Sequence, residues 1–268
     1  MQFDFGKNWA DYSAIALNAE RASQAQEAFA ALLAPAGGVA GKSFLDIGFG
    51  QGLSLLSAKA AGGRVLGVDI NPTCEEVLRR NLAYFPSCEH ASVPVVIGSI
   101  LDDRTVQRIR EASPDRGMFD VVHSWGVLHH TGDMRRAAQN AASLVKSGGH
   151  LVVALYNRHW SSRMWWIVKY IYCRLPADFQ TPLVRVLLPV IYMAKWLVTK
   201  GDPRKQARGM DFYFDVVDWV GGYPYEYASK YEVLALFEPL GFRCVKFSPS
   251  QVPTGCNEFV FQRDKDGP

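Results

Sequence analysis

The 268-residue chain has only five cysteines, Cys74, Cys88, Cys173, Cys244 and Cys256, and no two of them form a C-x-x-C pair. Scattered and odd in number, they exclude a disulfide framework and a cysteine-built zinc site, so no metal is expected and a reducing compartment fits. No run of about 20 uncharged apolar residues occurs. The nearest, residues 183–198, carries Arg185 and Lys195 and is expected to break at Pro189. The opening residues, with Asp4 and no apolar stretch, lack a secretory signal. The chain is therefore expected to be cytoplasmic. An excess of charge of one sign is nearly absent overall: the formal net charge is +3, too small to argue for nucleic acid. What is present is a globular composition, 49% hydrophobic and 21% charged.

That small net charge hides an asymmetry. Residues 158–208 hold ten Lys or Arg against two acids, Asp178 and Asp202, in a stretch dense in Trp, Tyr, Leu and Val. Before this stretch, short apolar runs alternate with helical patterns. Strands are predicted at 43–47, 64–69, 93–97, 119–123 and 151–156. Helices are predicted at 11–33, 53–61, about 71–84, 102–112 and 133–145, the last closed by Gly148-Gly149. Residues 3–9 read as irregular. After the greasy basic stretch, a helix at 230–240 and strands at 242–247 and 258–262 resume the pattern. Buried strands alternating with helices imply an α/β open parallel sheet covered on both faces.

The most informative segment is Asp46-Ile47-Gly48-Phe49-Gly50-Gln51-Gly52. A glycine loop between strand and helix permits tight turning and close backbone approach to a ligand. Its spacing is G-x-G-x-G, with an acid two residues before it, not the G-x-G-x-x-G of a pyrophosphate cradle. S-adenosylmethionine (SAM) has no phosphate, and its methionine end carries an ammonium and a carboxylate. An acid such as Asp46 suits the first, and loop and helix-terminal N–H groups suit the second. Asp69, ending the second strand, is placed to accept ribose hydroxyls.

Phe44–Gly52 and Val65–Asp69, together with Ile97-Gly98-Ser99-Ile100, Phe119–His130 and Leu144–Leu151, resemble the ordered motifs of the class I SAM-dependent methyltransferases, small-molecule and ubiquinone-type members above all. The likeness covers residues 41–156 clearly and the C-terminal part loosely. It implies a Rossmann-like seven-stranded, mostly parallel sheet with helices on both faces and a helical insertion after strand 5. The implied cofactor contacts are Asp46, Gly48, Gly50, Gly52, Asp69, Ile70, Ser99, Ile100, Ser124 and Trp125. A stretch like Phe5–Trp9 folds over the cofactor in some members, with Lys7 or Trp9 closing the pocket. The expected organisation is an N-terminal helical cap (1–40), a SAM-binding core (41–157), a hydrophobic basic lid or insertion (158–228) and the rest of the core sheet (229–268).

Methyl transfer is an in-line displacement, so the protein must position the acceptor and remove a proton. The candidates are His129 after strand 4, Tyr156 and Asn157 at the end of strand 5, and Tyr213. His130 is a weaker candidate, and His123 is expected to be a satisfied core residue. Aromatic and acidic segments at 210–215 and 218–227 read as loops, with Tyr223, Tyr225 and Glu226 as substrate-lid residues. The expected activity is transfer of a methyl group from SAM to a small molecule under an aromatic lid. Three alternatives stand beside it: cyclisation of SAM with release of methylthioadenosine, methylation of a lipid-like acceptor at a membrane, and a non-catalytic SAM-binding scaffold. The basic stretch is expected to be a lid, a homodimer interface or a peripheral membrane surface, and nucleic acid is not an expected partner.

Overall fold

The structure, a computed structural model, describes residues 3–88, 92–204 and 209–265. Lys205 and Arg208 of the basic stretch and the last residues of the polar tail lie outside them. In chain order the elements are α1 (Phe5–Ile15), α2 (Ala19–Leu33), β1 (Ser43–Ile47), α3 (Leu53–Ala60), β2 (Arg64–Asp69), α4 (Thr73–Asn81), β3 (Val95–Ile97), α5 (Asp103–Ala112), β4 (Phe119–Trp125), α6 (Met134–Ser143), β5 (Val145–Tyr156), α7 (Ser162–Tyr172), α8 (Ala177–Thr199), α9 (Phe212–Gly221), α10 (Lys230–Phe237), β6 (Phe242–Ser248) and β7 (Cys256–Arg263).

The sheet has seven strands in the order β3-β2-β1-β4-β5-β7-β6. β1 to β5 pair in parallel, and β7 runs antiparallel to both β5 and β6. Strand periodicity explains the two cores. Leu45, Ile47, Leu66, Val68, Val122, Leu151 and Val153 point to one face, against Ala137, Ala141 and Phe237. Phe44, Val65, Val121, Val152 and Val260 point to the other, against Phe29, Leu33, Leu55 and Leu56. A third cluster, with Tyr172, Val184, Ile191, Phe212 and Val216, joins α7, α8 and α9. The chain order reverses at β1, which lies between β2 and β4. That reversal opens a crevice at the strands' C-terminal ends.

Five sequence expectations change. The irregular opening is helix α1, capped by Asp4, whose side chain accepts from Lys7 N. The long helix at 11–33 is two helices, because Asn18 leaves helical geometry and caps α2 through Arg21 N. β5 begins at Val145, not 151: Gly148-Gly149 forms an irregularity inside the strand, where a Cβ on Gly149 would lie 2.9 Å from Asp120 O. α8 runs through Pro182 and Pro189, both on its exposed side, where the carbonyls that lose a partner are not sealed in a core. The aromatic, acidic stretch after 210 is also no loop at first. It forms α9, started by Asp211, whose carboxylate accepts from Tyr213 N and Phe214 N.

Candidate functional site

The crevice at the β1–β4 reversal is the mouth of a cavity of about 1240 Å³. Ligand pockets are typically ~300–1,000 Å³, so this one has room for a cofactor and an acceptor together. One end is walled by Asp46, Gly48, Gly50, Asp69, Ile70, Ser99 and Ile100. The other is walled by Trp125, Tyr156, Trp165, Asp218 and Trp219, with Ile191 and Lys195 of α8 beyond them.

The cofactor end follows from strand geometry. Gly48, Gly50 and Gly52 all take positive φ, at 73°, 52° and 82°. A Cβ on Gly48 would stand 2.4 Å from Val127 Cγ2, so the first glycine is required by close approach as well as by conformation. Asp69 ends β2 with both oxygens engaged: Oδ2 accepts Gly50 N at 2.9 Å and Oδ1 accepts Asn71 N at 2.9 Å. Its carboxylate thus holds the glycine loop in shape, and each oxygen keeps a further lone pair for a hydroxyl. Burial pushes its pKa up, opposed by those two backbone hydrogen bonds.

The loop amides do not serve as expected. Gly48 N and Phe49 N donate to Val68 O, and Gly52 N donates to Phe49 O. The donors suited to a carboxylate are instead the first-turn amides of α3, where Leu53 and Ser54 line the cavity. Asp46 is buried, with Oδ1 2.7 Å from His123 Nδ1. His123 is therefore only half the satisfied core residue expected, since its buried Nε2 has no hydrogen-bond partner and the residue lines the cavity. Trp9 lines the cavity, whereas Lys7 is exposed and pairs with Asp11.

Two cofactor candidates fall outside the lining. Gly52 caps α3 beneath Leu78, and Ser124 donates its hydroxyl to Ile47 O inside the sheet. Trp125 lines the cavity and donates Nε1 to Glu258 Oε1 at 2.8 Å. Taken together, these residues fit SAM: an acid at each of two strand ends, a glycine loop that admits close approach, and an open helix N-terminus. Asp69→Ala is expected to weaken SAM binding about 10- to 100-fold, the loss that follows when buried donors are left unsatisfied (~1–3 kcal/mol). Calorimetry checks it, and unchanged affinity would remove Asp69 from the site.

At the other end the structure brings together Tyr156 and His129 but not Asn157 or Tyr213. The Tyr156 ring is buried 4.1 Å, centroid to centroid, from His129 and 5.2 Å from Tyr225. His129 is fully buried, lines the cavity, and has no partner for either ring nitrogen. Burial drives its pKa well below the usual histidine value, so the ring is neutral near pH 7. His130 is fixed instead, with Nδ1 2.7 Å from Pro224 O. Asn157 is tied to the β6–β7 connection, donating to Pro253 O and accepting from Asn257 Nδ2. Tyr213 is exposed beside a separate shallow pocket.

The three lid candidates also sit outside the lining. Tyr223 packs on Trp166 and Tyr170, and Tyr225 is buried beside Tyr156 with its hydroxyl unpartnered. Glu226 accepts Met134 N at the start of α6.

The sequence reading missed a group of ionisable side chains behind this wall. Lys169 of α7 is fully buried. Its Nζ donates to Trp219 O and lies 5.3, 5.2 and 4.7 Å from the ring centroids of Tyr156, Trp219 and Tyr225. Burial lowers its pKa to about 7, opposed first by Asp218. Asp218 of α9 lines the cavity with its buried Oδ1 unpartnered, and burial raises its pKa to about 7. Asp215, one turn earlier, pairs with Lys195 of α8 at 2.5 Å. A signal for Lys169 was available: it is the one charge in the apolar run from Met164 to Cys173.

Residues 18–183 match the family model described as a methyltransferase domain. The chain is 31% identical over 137 residues to a ubiquinone biosynthesis O-methyltransferase of Vibrio parahaemolyticus, covering 51% of this chain and 53% of that one. A protein of the same description from Acinetobacter baumannii is 29% identical over 145 residues, covering 53% and 56%. The chain thus spans about half the length of the curated relatives it matches. Among solved structures, the magnesium protoporphyrin IX methyltransferase of Synechocystis, with bound SAH, is similar at a TM-score of 0.52 and 14% identity, covering 92% of this chain and 84% of that one. A chain from a complex of the Haloferax volcanii Trm112 methyltransferase activator with a methyltransferase has a TM-score of 0.57 at 14% identity, covering 98% of each. These two likenesses are of fold.

Proposed function

The chain belongs to the methyltransferase-domain family of SAM-dependent transferases, and from that premise we propose that it methylates a hydroxyl of a largely apolar small molecule. The observation that carries the proposal is the single cavity joining the glycine-loop crevice to a second compartment walled by Trp125, Tyr156, Trp165 and Trp219. Its apolar rings suit an aromatic or otherwise apolar acceptor, and its few polar groups suit orientation. The O-methyltransferase description of the relatives supports oxygen as the atom attacked.

When bound, SAM supplies an electrophilic methyl group on a sulfonium. Asp69 and the first turn of α3 would hold its ribose and carboxylate, and Asp46 its ammonium. In the acceptor compartment, His129 presents a neutral ring whose nitrogens have no protein partner, suited to orient a hydroxyl. Asp218 would take the proton of the acceptor hydroxyl at Oδ1 as that oxygen is methylated. An acid with a pKa near the working pH is the effective kind of proton acceptor. We place the activity in a reducing, cytoplasmic setting, which the five free cysteines support.

Product identity tests the reaction class. The protein is incubated with SAM alone and with a panel of apolar phenols, and products are read by mass spectrometry. S-adenosylhomocysteine and a methylated phenol, formed only when the phenol is present, are the expected result. Methylthioadenosine without an acceptor would replace this reading with cyclisation of SAM. SAM binding with neither product would leave a scaffold.

A further inference from the structure

α8 is apolar on two sides, and only one of them is used by the protein. Val184 and Ile191 are buried against α9, and Ile191, Ala194, Lys195 and Val198 line the cavity. On the other side, Phe179, Val186, Val190, Met193 and Leu197 follow one another at helical spacing, and Val186 and Leu197 are 68% and 64% exposed. The preceding segment repeats the pattern with Trp160, Met164, Ile167 and Ile171, and Trp160 is 84% exposed. α7 and α8, both packed against α9, therefore each present exposed apolar side chains, and Trp160, Trp166 and Trp196 are exposed among them. Contiguous patches of this kind mark interaction surfaces.

The charges bordering the face are mostly positive. Arg163, Arg174, Arg185 and Lys200 are exposed and form no ion pair with a carboxylate among the described residues. The acids nearby are few: Asp202 is engaged by Arg204 and Asp215 by Lys195, which leaves Asp178 at the start of α8. A symmetric second copy would bring these uncompensated cations together. An anionic surface neutralises them and also takes up the apolar side chains.

α8 is 23 residues long and apolar enough to cross a membrane by length and composition. Its inner face, however, is committed to α9 and to the cavity wall, and Arg185 and Lys195 interrupt the apolar run of the helix. That geometry suits a helix lying along a bilayer, not through it. We propose that the α7–α8 face docks the protein on an anionic lipid bilayer. The docking does not depend on the chemistry of the site, although it lays against the lipid the helix whose inner side walls the cavity through Ile191 and Val198, where an apolar acceptor would be concentrated.

The full chain is sedimented with phosphatidylcholine vesicles with and without phosphatidylglycerol. Binding to the anionic vesicles, weakening with salt, is expected. Val186→Asp with Val190→Asp is expected to reduce the bound fraction at least tenfold, and Arg174→Glu with Arg185→Glu to reduce it on anionic vesicles. Unchanged SAM affinity in calorimetry shows that these variants are folded. A wild-type protein that stays in the supernatant with both vesicles overturns the proposal, as does a Val186/Val190 variant that binds as the wild type does. A dimer in light scattering that the Val186/Val190 variant dissolves, with no vesicle binding, would assign the face to a second copy and likewise overturn it.

Discussion

Asp218→Asn is expected to slow methyl transfer by about 10²- to 10⁴-fold, the range over which a positioned proton acceptor accelerates such steps, while leaving SAM affinity unchanged. The substitution keeps size and hydrogen-bonding shape but removes the basic oxygen. Asp218 sits on the acceptor side of the cavity, on α9 beside Trp219, so its loss belongs in turnover and not in cofactor binding. The pH profile separates a base from a merely structural residue. With a pKa raised to about 7 by burial, wild-type activity should rise as pH climbs through neutrality and the carboxyl loses its proton. The asparagine variant should lose that limb and retain a low, flatter rate. Single-turnover assays between pH 5.5 and 8.5, using an acceptor found in the product screen, measure both. A variant as fast as the wild type, or one that keeps the neutral limb, would move the proton-accepting role to another group, with His129 next in line.

How far the sequence carried the reading depends on what kind of interaction places each residue. Phe44–Ile47 and Val65–Asp69 were legible because an unbroken apolar run bounded by glycine or acid has few ways to sit other than as a buried parallel strand. Gly48 and Gly50 were legible because positive φ is a backbone demand local to the loop. The acceptor compartment was much less so. Asn157 stands at a strand end that faces the crevice, but its amide is claimed by Pro253 and Asn257, about 100 residues later in the chain. Ser124 lies in a matching motif, yet strand alternation turns its hydroxyl to Ile47 O. Lys169 and Asp218 matter because α7 and α9 pack against each other, and nothing in the local sequence of either helix announces the partner. The aromatic stretch after 210 read as a loop because its acids and glycines look like punctuation. Asp211 is in fact a helix cap, so the aromatics are distributed around α9, and Trp219 is turned to the cavity while Tyr213 is exposed away from it.

Lys169→Met is expected to remove a pH dependence of stability that the wild type shows above neutrality. An ammonium with an ordinary pKa of 10.5 in the unfolded chain and about 7 in the fold binds fewer protons when folded, across that whole interval. Stability attributable to Lys169 therefore rises with pH from about 7, at up to ~1.4 kcal/mol per pH unit for one such group. Asp218 has the opposite sign: its raised pKa favours the fold at low pH and loses that contribution as pH rises from 3.8 through about 7. The pair alone thus gives a stability minimum close to neutrality. The groups facing Lys169 are Asp218 and Asp215 on α9, Cys173 on its own helix, Cys256 at the start of β7, and the neutral rings of His129 and His130.

With methionine at 169 the apolar volume is kept and the rise above pH 7 disappears. Asp218 is then left without its buried neighbour, so the variant should lose stability between pH 7 and 9 while the wild type gains it. The linkage of Lys169 alone amounts to ~2–3 kcal/mol over the two pH units above 7, so the two proteins should diverge by at least that order at pH 9 and lie closer near pH 6. Urea unfolding at four or five pH values between 6 and 9 measures the divergence. The window stops at 9 because above it the Cys256 thiol and the phenols of Tyr12 and Tyr225, all pushed up by desolvation, begin to lower stability with rising pH on their own. Parallel stability curves for wild type and variant across this window would mean that Lys169 keeps an ordinary pKa in the fold. The charge of Lys169 would then have no role in setting the proton acceptor near neutrality.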